Sequence, residues 1–204
     1  MSSGEMLLAI VLIALVFALL FFAVAKGVST KSKLSVGALI KLEFEFDPAQ
    51  KAKVVDAAGK AAEERGESAR MASKQVRTNV ESLSRVRLRK VLWVDDEPDN
   101  NVYESVALIE AGCFIATATS NAAARRYLNQ TQFDVVITDL GRGGDPDNGK
   151  KLVEEITAQR PHLPVVVYTI NADQRRDALK AAGAAAVEDE PAALIGAVLT
   201  TLGH

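Results

Sequence analysis

From residue 90 to residue 204, short runs of apolar and β-branched residues alternate with longer stretches of helix-forming composition. Strands that alternate with helices of about 10–15 residues form right-handed βαβ units, which build a parallel sheet covered by helices on both faces. The runs show no apolar–polar alternation, which is typical of strands buried on both faces. We therefore predict an α/β domain with five parallel strands over residues 90–204. The predicted strands read KVLWV, FIATAT, FDVVIT, LPVVVY and AAAV.

Acidic residues follow two of the predicted strands. Asp95 and Asp96 come after the first strand, Asp139 comes after the third, and Thr169 comes after the fourth. In a doubly wound sheet, functional residues gather beyond the carboxyl ends of the strands. Clustered carboxylates repel one another unless a cation joins them, and hard oxygen ligands suit Mg²⁺. We therefore predict a Mg²⁺ site here, with Asp139 as a nucleophile for a phosphoryl group and Thr169 as a hydrogen-bond donor to it.

The order and spacing of these residues resemble the receiver domain of two-component response regulators. The resemblance rests on the acidic pair at 95–96, the apolar run into Asp139, Thr169 at the end of the next strand, and the Gly-Ala pair at 183–184. It covers residues 89–204, a little over half of the chain. It implies a flavodoxin-like, doubly wound sheet and a function in phosphorelay signal transduction.

The resemblance also implies a role for each site residue. Asp95 and Asp96 look like the metal-binding acids, and Asp139 looks like the phosphoacceptor and a further metal ligand. The backbone carbonyl of Gly141 looks like an additional ligand, and Thr169 looks like the switch hydroxyl. Such a domain is a signalling module and not an enzyme, with at most phosphoacceptor and self-dephosphorylation chemistry.

Two positions depart from the family's pattern. Glu190 stands where the family has a lysine before the proline that follows the last strand, and Val187 stands where it has an aromatic switch residue. Like charges about 4 Å apart repel by about 4 kcal/mol at an effective dielectric constant of about 20. Glu190 therefore disfavours a phosphorylated Asp139 unless its side chain points away. Arg142, on the long glycine-rich loop after Asp139, or Lys150 is a candidate to replace the missing lysine at the phosphoryl group. The favoured interpretation of Arg142 is a solvated side chain on a mobile loop.

Two functions fit these observations. The first is a membrane-anchored, atypical receiver that binds Mg²⁺ and accepts a phosphoryl group on Asp139. The second is a pseudo-receiver scaffold that recruits a protein partner to the membrane without phosphotransfer. Asp139 and Thr169 favour the first function, whereas Glu190 and Val187 favour the second.

Residues 6–25 form an uninterrupted apolar run of twenty residues after a short tail, residues 1–5. At about 1.5 Å per residue, a helix of this length spans the roughly 30 Å hydrocarbon core of a bilayer. A cleaved signal peptide is the alternative, but no Lys or Arg precedes the run and it exceeds the usual core of about 7–15 residues. Lysines follow the run, so we predict a single-pass helix in a bacterial-type plasma membrane, with the N terminus outside and residues 90–204 in the cytoplasm.

Between the predicted anchor and the α/β domain, residues 26–47 form a basic juxtamembrane segment with one short strand pattern, and residues 48–89 are rich in Ala, Lys, Glu and Arg. The second stretch contains no further proline after Pro48, which favours helix. Its heptad seam is rich in alanine, offers little apolar area and comprises Ala69, Ala72, Val76, Leu83 and Val86. We therefore predict a solvated helical stalk, with at most weak homodimerisation, rather than the alternative, a strong coiled coil.

Charge divides the chain into a basic front and an acidic back. From Lys90 onward there are 10 Lys and Arg against 17 Asp and Glu, a net charge of -7, whereas the first 89 residues carry 14 against 9, a net charge of +5. An acidic domain repels phosphate backbones, so we expect no nucleic-acid partner. The expected partners are the membrane and a protein, either a histidine kinase or a membrane complex.

Overall fold

The computed structural model describes residues 48–79, 86 and 88–203. The predicted tail (1–5), membrane helix (6–25) and juxtamembrane segment (26–47) lie outside these residues. Among the residues that are described, no helix is both long and apolar enough to span a bilayer.

Helices and strands alternate along most of the described chain, after two consecutive helices at its start. A 3-10 turn over Pro98–Asn101 leads into the third helix. In chain order the elements are α1 (Pro48–Glu64), α2 (Ala69–Asn79), β1 (Lys90–Val94), α3 (Val102–Glu110), β2 (Phe114–Ala118), α4 (Asn121–Gln130), β3 (Val135–Thr138), α5 (Asn148–Gln159), β4 (Val165–Tyr168), α6 (Ala172–Ala181), β5 (Ala186–Glu188) and α7 (Pro191–Leu202).

The five strands form one parallel sheet in the order β2-β1-β3-β4-β5. This is the flavodoxin-like order, in which the chain adds β2 on one side of β1 and β3, β4 and β5 on the other side. The predicted five-stranded parallel sheet is therefore confirmed. The three central strands β1, β3 and β4 are almost entirely buried, because helices cover both faces of the sheet.

Alternate strand residues point to two separate hydrophobic cores. Val91 and Trp93 of β1 join the core beneath α3 and α7. Leu92 and Val94 of the same strand join the core beneath α4, α5 and α6. Because side chains alternate across a strand, each apolar run supplies both cores at once.

The stretch predicted as a solvated stalk is instead two packed helices. α1 packs against α2, α3 and α7, and α2 packs against α7, so this N-terminal helical hairpin (α1, residues 65–68 and α2) forms a second layer on one face. Helix does form here, but the prediction of a solvated stalk is wrong, because small side chains allow close packing. The buried residues are Val54, Val55, Ala57, Ala58, Ala61, Ala62, Ala72 and Val76.

Two residues of the predicted heptad seam that lie in α2 are buried within the chain itself. Ala72 is 5% exposed and Val76 is fully buried, and both belong to the core that α7 shares. A dimer through these side chains would require α2 to leave α7.

The hairpin turns at a glycine that ends α1. Gly66 has φ of 74°, its N–H donates to Glu63 O at 3.0 Å, and the Glu67 N–H donates to Ala62 O at 2.8 Å. These two bonds are the Schellman motif, which satisfies the last carbonyls of a helix with a left-handed residue after its cap. Arg65 is therefore fixed at the end of α1, directly before the turn.

Candidate metal and phosphoacceptor site

A cavity of about 560 Å³ opens at the carboxyl ends of β1, β3 and β4. Asp95, Asp96 and Asp139 line it, and each offers a carboxylate oxygen within 4.8 Å of the others. Thr169 lies on the same wall. The structure thus brings together the four side chains that the sequence placed at one edge of the sheet. Three carboxylates at this spacing fit a hard divalent cation such as Mg²⁺.

Asp95 is held by two donors. Its Oδ1 accepts from the backbone N–H of Glu97 at 2.8 Å, and its Oδ2 accepts from Asn101 Nδ2 at 2.7 Å. Asp96 is exposed and accepts from the backbone N–H of Gly143 at 3.1 Å. Each acid therefore has a fixed direction before any cation binds.

The pKa of Asp139 is perturbed by its position in the cavity. Its pKa is raised from 3.8 to about 6, first by burial and then by the negative charges of Asp95 and Asp96. The backbone N–H of Leu140 and the guanidinium of Arg142 lower this pKa only in part. A bound cation would favour the ionised form, because opposite charges at short range stabilise it.

A close backbone approach fixes the peptide of Asp139. The N–H of Asp139 donates to Val94 O at 3.0 Å, and the N–H of Gly149 donates to Leu140 O at 2.7 Å. A Cβ on Gly149 would lie 2.1 Å from the carbonyl oxygen of Asp139, so a glycine is needed at the start of α5.

The loop after Asp139 folds into a tight turn. Gly143 and Gly144 both have positive φ, 59° and 79°, and Arg142 pairs with Asp145 across them as an antiparallel bridge. Glycine at both central positions is typical of a two-residue turn with this handedness. The turn carries the side chain of Arg142 inward.

Arg142 is only 2% exposed, so the prediction of a solvated side chain is wrong. Burial lowers its pKa, and the negative charges of Asp139, Asp95 and Asp96 oppose that shift. The guanidinium donates to oxygens that lie behind the cavity wall. Its acceptors are Val94 O, Thr138 Oγ1, Asp139 O and Asn121 Oδ1. Arg142 therefore links the ends of β1 and β3. Its Nε has no hydrogen-bond partner among the described residues.

Thr169 and Gly141 both lie on the cavity wall. The N–H of Thr169 donates to Glu188 O at 2.9 Å, whereas its hydroxyl makes only a 3.5 Å contact with Ile170 O. The hydroxyl is thus held near the acids by β5 and is weakly engaged. A Cβ on Gly141 would meet only Pro146 Cα, at 3.7 Å, so the packing at this position does not require a glycine.

The two departures from the receiver pattern occupy different surroundings. Val187 is fully buried in the core beneath α4, α5 and α6. Because valine has no aromatic ring, the ring movement of the receiver pattern cannot occur at this position. Glu190 is exposed, directly precedes α7 without a capping hydrogen bond from its side chain, and is not among the residues that line the cavity. Its carboxylate therefore acts on its surroundings outside the cavity, where it raises the pKa of Glu67 after the larger effect of burial.

Sequence reasoning missed three residues beside the acids: Arg65, Asn101 and Glu104. Arg65 lines the cavity and donates from Nη2 to Asn101 Oδ1 at 3.0 Å and from Nε to Glu104 Oε1 at 3.1 Å. Glu104 is 1% exposed and also accepts from Tyr168 OH at 2.8 Å. Gly66 signals the end of a helix at Arg65, but no sequence pattern places that helix end beside β1 and β4.

Comparison with known proteins agrees with this geometry. Residues 91–189 match the family model for the response regulator receiver domain. The methanol utilization control regulatory protein MoxX of Paracoccus denitrificans is 29% identical over 119 residues, which cover 56% of this chain and 53% of that protein. The match thus spans about half the length of this relative. The N-terminal helical hairpin lies outside residues 91–189.

Solved structures show the same fold. NtrX from Brucella abortus is 25% identical, with 56% of this chain and 27% of that chain covered and a TM-score of 0.50. A LuxR-family two-component response regulator from Aurantimonas sp. is 21% identical, with 56% and 85% covered and a TM-score of 0.50. The second likeness concerns the fold alone.

The sheet order, the acidic cavity and the family match together define one class of domain. Residues 91–189 form a receiver domain of the response regulator family, the class that serves two-component signalling. The family resemblance read from the sequence is therefore confirmed.

Proposed function

We propose that this chain is a membrane-anchored, atypical receiver that holds Mg²⁺ and accepts a phosphoryl group on Asp139. The observation that carries the proposal is the spacing of the three acids, whose oxygens lie within 4.8 Å of one another at the strand ends of a receiver domain. Asp95, Asp96 and Asp139 would hold the cation, with the carbonyl of Gly141 as a further ligand. When bound, Mg²⁺ would screen the carboxylates and bind phosphoryl oxygens.

The chemistry at Asp139 is a phosphoryl transfer. A carboxylate oxygen of Asp139 attacks the phosphorus of the donor, and the bond from phosphorus to the donor's leaving group breaks, with the electron pair going to that group. With a pKa of about 6, the carboxyl is largely ionised at neutral pH and needs no separate base. The Thr169 hydroxyl donates to a phosphoryl oxygen. Hydrolysis reverses the modification when water attacks the phosphorus and Asp139 leaves as carboxylate.

The cellular setting follows from the sequence outside the receiver domain. Residues 6–25 anchor the chain in a bacterial-type plasma membrane, and the lysines that follow them keep the receiver domain in the cytoplasm. The phosphodonor is then a cytoplasmic protein such as a histidine kinase, or a membrane complex that contains one. The domain acts as a signalling module rather than as an enzyme, and its net charge of -7 disfavours nucleic acid.

A pseudo-receiver scaffold is the second candidate, and two observations favour it. Val187 is fully buried, so the usual aromatic movement is lacking, and Glu190 replaces a cation with an anion. In this case the cavity binds Mg²⁺ without accepting a phosphoryl group, and the domain recruits a protein partner to the membrane.

Covalent labelling separates the two candidates. The full chain in detergent micelles is incubated with acetyl phosphate and Mg²⁺, and the added phosphoryl group is detected by intact-protein mass spectrometry. We expect labelling of the wild type and of the exposed control Asp177→Asn, and none of Asp139→Asn. Equal labelling of Asp139→Asn would remove Asp139 as phosphoacceptor, and Mg²⁺ binding without labelling of the wild type would establish the scaffold.

The topology is tested separately. A reporter fused after His204 should be active on the cytoplasmic side of the membrane. Activity only on the outer side would overturn the orientation.

A further inference from the structure

We propose that Arg65, which the N-terminal helical hairpin contributes, contacts the oxyanion bound at Asp139 and supplies the cation that position 190 lacks. The inference rests on the proposed function, because it names a further residue of the same site. The ligand is a phosphoryl group on Asp139, or a tetrahedral mimic such as beryllofluoride bound to it.

Among the described residues that line the cavity, only Arg65 and Arg142 are cations. Arg142 is not available, because both of its terminal nitrogens already donate to oxygens behind the cavity wall and its side chain is buried. Moving it would leave Thr138 Oγ1 and Asn121 Oδ1 without the donor that Arg142 gives each of them, and an unsatisfied buried acceptor is costly. Arg65 is therefore the cation that remains.

Three contacts hold the guanidinium of Arg65 at the cavity. Nε donates to Glu104 Oε1 at 3.1 Å and Nη2 donates to Asn101 Oδ1 at 3.0 Å. The central carbon of the guanidinium lies 4.6 Å from the centre of the Tyr168 ring, which is a cation–π distance. Nη1 makes no hydrogen bond with any described residue, and the side chain is 28% exposed. The protein thus engages Nε, Nη2 and one face of the guanidinium, and Nη1 remains to donate to a ligand.

Two of the residues that contact Arg65 also connect it to the predicted site. Asn101 donates to Asp95 Oδ2 at 2.7 Å, so one amide bridges Arg65 and a metal-binding acid. Tyr168, beneath the guanidinium, directly precedes Thr169 in the chain. Arg65 therefore stands on the wall between the first acid and the switch hydroxyl.

The sign of the charge gives the proposal a specific signature. A cation on the cavity wall attracts an oxyanion and weakly repels Mg²⁺. Loss of Arg65 should therefore weaken the binding of an anion and leave the binding of Mg²⁺ unchanged or stronger. A residue with a purely structural role would weaken both.

The variants must avoid an unpaired buried acid, because removing Arg65 alone leaves Glu104 without its partner. We therefore compare Glu104→Gln with the double variant Arg65→Gln/Glu104→Gln, since the amide introduced at position 104 keeps an oxygen that accepts from Tyr168. Arg65→Lys tests whether a cation alone suffices. Arg70→Gln, at an exposed position of α2 in the same hairpin, is the matched control.

The full chain in detergent micelles is titrated first with Mg²⁺ and then with beryllofluoride, and Trp93 fluorescence and isothermal calorimetry are recorded. Trp93 is the only tryptophan and its ring lies 6.4 Å from that of Tyr168 in an edge-on arrangement. A lost hydrogen bond to a charged group predicts a fall in beryllofluoride affinity of about 10- to 100-fold in the double variant relative to Glu104→Gln. We expect Arg65→Lys to retain part of the affinity and Arg70→Gln to retain all of it.

Equal beryllofluoride affinity in Glu104→Gln and the double variant would overturn the inference while leaving the proposed function intact. A parallel loss of Mg²⁺ and beryllofluoride binding would also overturn it, since that result indicates a structural role. If the wild type binds Mg²⁺ but not beryllofluoride, the phosphoacceptor proposal itself fails, and the inference fails with it.

Discussion

The helices on either side of β5 in the chain, α6 and α7, differ in how much of their surface is buried. α6 buries only Ala172 and Leu179, and its other residues are charged or exposed. α7 buries eight of its twelve residues, because the sheet and the N-terminal helical hairpin both pack against it. The buried residues of α7 are Pro191, Ala192, Leu194, Ile195, Gly196, Val198, Leu199 and Leu202.

The difference shows that the two faces of this receiver domain are built differently. One face ends in a single layer of amphipathic helices with charged outer sides. The other face continues into a second layer, the hairpin, and that layer also reaches the acidic cavity through Arg65. The hairpin is thus part of the domain's core and part of its site.

The largest expected effect comes from a charge placed beneath the hairpin. Ala58 is fully buried in α1, so Ala58→Asp buries an unpaired carboxylate and should destabilise the fold by roughly 3–5 kcal/mol. The same substitution at the exposed Ala178 of α6 should cost about 0.7 kcal/mol, the difference in helix propensity. Urea unfolding followed by Trp93 fluorescence measures both. Equal costs would mean that α1 is not packed on the domain.

A smaller difference is expected between two ion pairs, one on each face. Glu104 is 1% exposed beneath the hairpin, whereas the Arg125–Glu155 pair on the other face has side chains 51% and 24% exposed. Glu104→Gln leaves Arg65 without its counter-charge and should cost about 2 kcal/mol, while Glu155→Gln should cost at most about 0.5 kcal/mol. Urea unfolding of the two variants at low and moderate salt measures this. A larger cost for Glu155→Gln would contradict the assignment of the buried face.

The smallest effect is a gain in stability at the cavity. The pKa of Asp139 is raised to about 6 in the folded protein, so the fold favours the protonated form. The stability from this proton is fully present below the ordinary pKa of 3.8 and is lost as pH rises through 6. Without metal, Asp139→Asn should therefore gain about 1–2 kcal/mol at pH 7 after allowance for solvent screening.

Unfolding measured between pH 4 and pH 7 checks this prediction. The wild type should lose stability across that range relative to Asp139→Asn, and the difference should shrink when Mg²⁺ is added. A variant less stable than the wild type at pH 7 without metal would contradict the electrostatic account of the cavity.

Part of this architecture was predictable from the sequence. The apolar runs predicted the parallel sheet, and the polar residues that end them predicted Asp95, Asp96, Asp139 and Thr169 at one edge, because sheet geometry brings strand ends together. The docking of the hairpin was not predicted, since its seam is mostly alanine and its apolar area is small. A signal was present in α7, which has no charged residue and only Thr200 and Thr201 as polar side chains, because a helix this apolar is expected to be buried by more than one neighbour.

The orientation of individual charged side chains was harder to predict from the sequence. Arg142 was expected in solvent, but its partners include backbone carbonyls, which leave no trace in the sequence. Arg65 was missed because its place depends on the turn at Gly66 and on the docking of α1, and both are tertiary features. The positions whose roles depend on backbone contacts or on a second layer were therefore the ones that sequence patterns could not place.

Amide hydrogen exchange on the full chain tests the central claim, that the hairpin is a packed layer of the receiver domain. Most helical stability in proteins comes from tertiary packing and an isolated helix opens readily, so strong protection of the amides of α1 requires that it be packed. We predict that the amides of residues 54–62 exchange as slowly as those of α3, against which α1 packs. Exchange of residues 54–62 at the rate of an unfolded peptide, with α3 still protected, would contradict the account.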